Sequence, residues 1–160
     1  MFYSRKSTRI PRYDYSNRNY YFLTLCTNNR KCILGQPERL NNLGKIVEKH
    51  ILNIPEYYQN VFIDKYVVMP NHIHMILVLN GDNNPNISLI MAQFKRGVTM
   101  EIRKTLPNLS VWQRSFHDHV IRDQKDYERI WLYIDANPMN WGKDCFYVNE
   151  TEISSQMYLG

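Results

Sequence analysis

The stretch Met69-Pro70-Asn71-His72-Ile73-His74-Met75 constrains this chain more than any other. A Pro-Asn turn separates two runs rich in apolar and β-branched residues, Val61 to Met69 and His72 to Leu79, and this predicts an antiparallel hairpin. Strand side chains alternate between faces, so His72 and His74 project together, roughly 6–7 Å apart at Cα, while Ile73 turns into the core. Two imidazoles placed that way can converge on one divalent ion. An H-x-H pair can also be an ordinary half-exposed polar face, and the rest of the chain has to decide between the two.

Other elements follow from periodicity. Tyr20 to Thr27 reads as a strand, and Arg39 to Ile54 as a helix with Leu40, Leu43, Ile46, Val47 and Ile51 at helical spacing and Pro55 ending it. Gly81 to Pro85 is a loop. A second helix carries Ile87, Ile90, Met91, Phe94, Val98 and Ile102 on one stripe and Lys95, Arg96, Arg103 and Lys104 on another side. Gly97 within it costs about 1 kcal/mol relative to alanine, so a close approach to its backbone is expected. Val111 to Arg122 reads as mostly extended, and Asp123 as the cap of a last helix. The order strand, helix, strand, strand, helix, strand, helix predicts an α+β fold of ferredoxin-like, split βαβ type. Two helices should cover one face of an antiparallel sheet, leaving the other face or an edge for the last helix.

The 160 residues suit one domain, divided into a basic arm (1–19), a core (20–138) and a tail (139–160). With 44% hydrophobic and 22% charged residues the composition is globular. No apolar run reaches bilayer length and no signal peptide is evident, so a cytoplasmic protein without membrane partners is expected. Cys26, Cys32 and Cys145 are odd in number and lack metal-ligand spacing, which points to reduced thiols.

The net charge of +5 is concentrated at the start of the chain. Residues 1–31 hold Arg5, Lys6, Arg9, Arg12, Arg18, Arg30 and Lys31 against the one acid Asp14, with Tyr3, Tyr13, Tyr15, Tyr20 and Tyr21 between them. Cations interleaved with stackable rings suit single-stranded nucleic acid.

In the last helix Tyr127, Ile130, Trp131 and Ile134 form the expected buried stripe. Asp126, Arg129, Tyr133 and Asn137 fall on a second stripe roughly 100° away. Tyr133 is therefore not placed like a core aromatic, and Asn137 lies one turn further along the same face. Two imidazoles and a carboxamide oxygen can hold a divalent ion with open positions, and a phenol one helix turn away suits attack on a phosphodiester.

These pieces together resemble the HUH single-tyrosine transposases, in particular the REP-associated tyrosine transposase (IS200-like) branch. The resemblance runs from about Arg5 to Asp144. It rests on Arg9-Ile10-Pro11-Arg12-Tyr13-Asp14-Tyr15, Tyr21-Phe22-Leu23-Thr24-Leu25-Cys26-Thr27, Met69-Pro70-Asn71-His72-Ile73-His74, Trp112-Gln113-Arg114-Ser115-Phe116, His119-Val120-Ile121-Arg122 and Tyr133-Ile134-Asp135-Ala136-Asn137-Pro138. It implies a metal-dependent single-stranded DNA endonuclease and strand transferase acting on hairpin or palindromic DNA as a monomer or homodimer, with Mg²⁺ or Mn²⁺. It also implies Tyr133 as nucleophile, a 5′-phosphotyrosine link, and His72 and His74 as ligands. Related transposases carry glutamine as the third ligand; the matching position is Asn137, one methylene shorter. The DNA contacts expected are Arg5, Lys6, Arg9, Arg12, Lys95, Arg96, Arg103, Arg114, His119 and Arg122. His117 and His119 repeat the H-x-H pattern, and we read that pair as structural, with His119 touching DNA or supporting the site.

Two rivals remain at this point. The same fold can serve as a domesticated hairpin-binding regulator without turnover. A histidine-dependent nucleotide hydrolase needs a further histidine at the next alternate position, where this chain has Ile76.

Overall fold

The computed structural model describes residues 9–147. Its framework is a four-stranded sheet of β1 (Asn19–Cys26), β4 (Val61–Met69), β5 (His72–Leu79) and β6 (His117–Val120), in the order β4-β5-β1-β6 with every neighbour antiparallel. Two short strands, β2 (Gly35–Gln36) and β3 (Arg39–Leu40), pair separately. Helices α1 (Asn42–Tyr57) and α2 (Ile87–Ile102) follow β3 and β5, and α3 (Gln124–Ala136) follows β6. This is the expected ferredoxin-like α+β arrangement.

The β4–β5 hairpin forms with the expected bounds, pairing Met69 with His72 across Pro70-Asn71. Its alternation sets the layers. Ile73, Met75, Leu77 and Leu79 face α1 and α2 and join the main core with Val47, Ile51, Ile90, Phe94 and Val98. Fully burying each such side chain contributes about 1.5–3 kcal/mol. Ile76 faces the other way, into a smaller cluster with Ile130 and Ile134 of α3, and His72 and His74 share that face. Thus α3 takes the second face of the sheet. A bulge at Asp64, between Ile63 and Lys65, shifts the parity of β4, so Val67 ends up beside His74 on the α3 side.

Three expectations need correction. Arg39 and Leu40 belong to β3 rather than the first helix; Asn41 caps α1 by accepting a hydrogen bond from the Gly44 amide at 2.9 Å. Gly44 is also required for space, since a Cβ there would lie 2.2 Å from the Leu34 carbonyl oxygen. Pro55 does not end α1 but sits inside its last turn, where only one intrahelical hydrogen bond is lost and Ile54 still packs in the core. The extended run before α3 is broken at Ser115, whose φ of 70° lies in the left-handed region, so β6 is only four residues long. Asn137, the cap of α3, keeps helical angles (φ −57°, ψ −44°), in line with its place one turn beyond Tyr133.

Other expectations agree with the structure. Asp123 caps α3 through the Asp126 amide at 2.8 Å. At Gly97 an added Cβ would meet the His50 ring at 3.2 Å. No helix among the described residues is long and apolar enough to cross a membrane.

Candidate active site

Hairpin alternation brings the His72 and His74 rings to 4.6 Å between centroids, with an interplanar angle of 69°. Both residues are buried, at 0% and 2% exposure. Each ring is anchored by its Nδ1. His72 Nδ1 lies 2.9 Å from Asn71 Oδ1, an oxygen that can only accept, so this nitrogen carries the ring proton. His74 Nδ1 lies 2.7 Å from Thr24 Oγ1 on the neighbouring strand. The Asn71 contact leaves a lone pair on His72 Nε2, Thr24 does the same for His74 when its hydroxyl accepts from Nδ1, and neither Nε2 has a hydrogen-bond partner among the described residues. Burial pushes the His72 imidazole down to about 4, against the opposing pull of Asp144 and Asn137. Burial, then the neighbouring His72, holds His74 well below its ordinary value. Both rings are therefore neutral at pH 7, the form that ligates metal.

Helix α3 delivers the other groups. Its Ile130–Ile134 stripe seats it on the sheet, and Tyr133, one residue off that stripe, lands with its ring 5.3 Å from the His74 ring and 6.2 Å from Phe22. The tyrosine stays 43% exposed, open to a large substrate. Burial of its inner part, then Asp144 and Cys145, raise the phenol to about 12, while a hydrogen bond with Asn137 acts the other way. Asn137, one turn on, is buried; its Nδ2 donates to Asp144 Oδ2 at 3.0 Å and its Oδ1 has no partner among the described residues. All of these groups come from one chain.

The chain after Pro138 adds further groups to this site. After α3 a 3₁₀ turn at Trp141–Lys143 brings Asp144 to within 3.8 Å of His72 Nε2, and its side chain is 2% exposed. One ligand atom from each of His72, His74 and Asp144 lies within 4.8 Å of the others. Phe146 then stacks on His72 at 4.4 Å, and Asn71 Nδ2 donates to its carbonyl at 2.6 Å. Asn71 also donates to the Arg30 carbonyl at 3.2 Å, and the Arg30 guanidinium lies 5.3 Å from the Phe146 ring centroid. Asp144, Asn71, Thr24 and Arg30 were not singled out in the sequence. Asn71 reads there as turn chemistry, and Asp144 lies past Pro138, where no helical or strand period predicts its direction.

The unpartnered, buried lone pairs of His72 Nε2, His74 Nε2 and Asn137 Oδ1 fit a divalent ion, because each is an acceptor desolvated without a donor.

The expected DNA contacts divide by location. Arg5 and Lys6 lie outside the described residues. Arg9 stacks over Phe116 at 4.8 Å and comes within 3.8 Å of the buried Asp118, while Arg12 is exposed. Arg114 and Arg122 are exposed on either side of the edge strand β6. Arg96 on α2 and Arg103 at its C-terminal cap are exposed, across the sheet from the histidines. Lys95 differs from the expectation of a cation lying free for phosphate. Its ammonium donates to the Gln113 carbonyl at 2.9 Å and to that of Ser115, and burial lowers it to about 8. His119 is held at 2.7 Å by Asp126, which also pairs with Arg129. His117 shares the face of Thr24 and His74.

Residues 15–137 match the family model described as "Transposase IS200 like". A Haemophilus influenzae protein without assigned function is 35% identical, covering 91% of this chain and 94% of its own length. A second protein from that organism, named provisionally as a REP-associated tyrosine transposase, is 30% identical over 82% of this chain and 76% of its own. Among solved structures, a REP-associated tyrosine transposase bound to a REP hairpin superposes with a TM-score of 0.66 at 25% identity, covering 83% of this chain and 73% of that one.

Proposed function

The chain belongs to the IS200-like transposase family, and from that premise we propose that it is an enzyme that cuts and rejoins single-stranded DNA at hairpin or palindromic ends, with Tyr133 as nucleophile. The observation that carries this reading is the Tyr133 ring 5.3 Å from the His74 ring, beside two imidazole nitrogens that lack partners among the described residues. The related protein that binds a REP hairpin supports the choice of substrate.

In the first step the Tyr133 phenol oxygen forms a bond to phosphorus while the bond to the 3′ oxygen breaks. The phenol loses its proton and the departing oxygen gains one. The products are a 5′-phosphotyrosine and a free 3′-hydroxyl. A second 3′-hydroxyl reverses the step and restores the phenol, so rejoining needs no nucleotide cofactor. An ordinary phenol near 10 costs about 4 kcal/mol to ionise at pH 7, and the raised value of Tyr133 makes that harder. Positive charge at the site must offset it. Mg²⁺ or Mn²⁺ held by His72, His74 and Asn137 would supply that charge and stabilise the phosphate in the transition state.

The protein's own groups perform the rest. Asn71 and Thr24 orient the two imidazoles, Asn137 stands one helix turn from Tyr133, and the packing of Ile130 and Ile134 fixes how far the tyrosine stands from the sheet. Arg9, Arg114 and Arg122 beside the edge strand β6 are the proposed phosphate contacts, joined by Arg5, Lys6 and Arg12 of the arm. Arg96 and Arg103 extend that set to α2. His119, tied to Asp126, supports this edge, and Lys95 holds the loop that precedes β6.

The test is incubation with labelled hairpin DNA and Mn²⁺ followed by denaturing electrophoresis. A covalent protein–DNA adduct that disappears in Tyr133→Phe is expected. Hairpin binding with no adduct in any divalent ion would instead make the protein a regulator on a transposase fold.

A further inference from the structure

We propose that Asp144 is a ligand of the divalent ion and supplies the one negative charge in its protein shell. This rests on the metal reading above and adds a group from beyond residues 15–137, the segment that the family model matches.

The geometry is that of acceptors facing acceptors. His72 Nδ1 holds the ring proton against Asn71, so the Nε2 atom 3.8 Å from Asp144 Oδ2 presents a lone pair to a carboxylate oxygen. His74 Nε2 and Asn137 Oδ1 are also buried acceptors without partners among the described residues. One ligand atom from each of His72, His74 and Asp144 lies within 4.8 Å of the others, and the two imidazole Nε2 atoms receive no donor among the described residues, an arrangement that favours a cation between them.

The carboxylate's own partners are neutral. Asn137 Nδ2 donates to Oδ2 at 3.0 Å and the Phe146 amide to Oδ1 at 2.9 Å. Among the described residues no lysine or arginine pairs with it. A carboxylate that is 2% exposed and lacks a cation is costly, and a divalent ion removes that cost. Ligands about 2.1 Å from an ion stand roughly 3–4 Å apart. The three groups, within 4.8 Å of one another, close onto one ion with small side-chain adjustments.

A consequence follows for the chain after α3. If Asp144 binds the ion, loading the ion pins the segment from Trp141 to Phe146 against His72.

The test is calorimetric titration of the full-length, metal-free chain with Mn²⁺, for the wild type, Asp144→Asn and His72→Ala. Asp144→Asn keeps an oxygen for Asn137 to donate to and removes only the charge. We expect it to weaken Mn²⁺ binding by roughly tenfold or more and His72→Ala to do so at least as strongly. Undiminished affinity in Asp144→Asn, with loss in His72→Ala, overturns the Asp144 assignment alone. No Mn²⁺ binding by the wild type overturns that assignment and the histidine site together. A second readout needs no variant: Mn²⁺ should slow tryptic cleavage after Lys143 in the wild type several-fold, and equal rates with and without the ion would count against Asp144 as a ligand.

Discussion

The candidate active site depends on single atoms whose partners are fixed by neighbours. Asn71 holds the ring proton of His72 on Nδ1, and Thr24 anchors Nδ1 of His74. Thr24→Val keeps the shape of the side chain and removes the hydroxyl. It should weaken Mn²⁺ binding roughly 10–100-fold by titration calorimetry while leaving hairpin retention unchanged; equal affinity would show that Thr24 does not orient His74. The buried imidazoles also set a pH dependence. In the unfolded chain they titrate near 6.5, whereas in the folded chain His72 is lowered to about 4 and His74 lies well below its usual value. Between these limits the unfolded state binds protons that the folded state refuses, so stability is retained above about pH 7 and lost as pH falls toward 4. Thermal unfolding in EDTA should show a falling midpoint from pH 7 to pH 5, and a flat midpoint over that range would contradict the burial of neutral rings.

At the level of elements, α3 is the part whose position matters most for function. Its start is set by the Asp123 cap, and Asp123→Ala should cost about 0.5–2 kcal/mol in denaturant unfolding; no loss would mean the cap is dispensable. Much of this level was readable in the sequence. The two-residue turn and alternating pattern gave the hairpin, and a 100° offset from the Ile130–Ile134 stripe was enough to place Tyr133 apart from the core. What was not readable depended on contacts distant in the chain. The parity shift at Asp64 leaves no trace in composition, since a bulge is only one extra residue. Pro55 looks like a stop because local rules favour one, but core contacts from Ile54 carry the helix past it. Asp144 reaches the histidines through a 3₁₀ turn and the Phe146 stack, and neither has a periodic signature.

For the whole molecule, the proposed DNA binding rests on the distribution of charge. Cations border β6 and continue along α2, while the buried imidazoles and the tyrosine lie on the α3 side of the sheet. Neutralising Arg9, Arg12, Arg114 and Arg122 together should weaken hairpin binding and reduce the slope of log affinity against log salt by up to about 4; an unchanged slope would remove these residues from the interface. In the proposed reaction, by contrast, cleavage and rejoining converge on one oxygen. Trypsin cutting after Arg129 and Lys143 releases residues 130–143, a peptide in which Tyr133 is the only tyrosine. After reaction with hairpin DNA and Mn²⁺ and digestion of the DNA, mass spectrometry should find a phosphate or short nucleotide on Tyr133 in this peptide. Modification of a different tyrosine, such as Tyr147, with Tyr133 left unmodified would contradict the account.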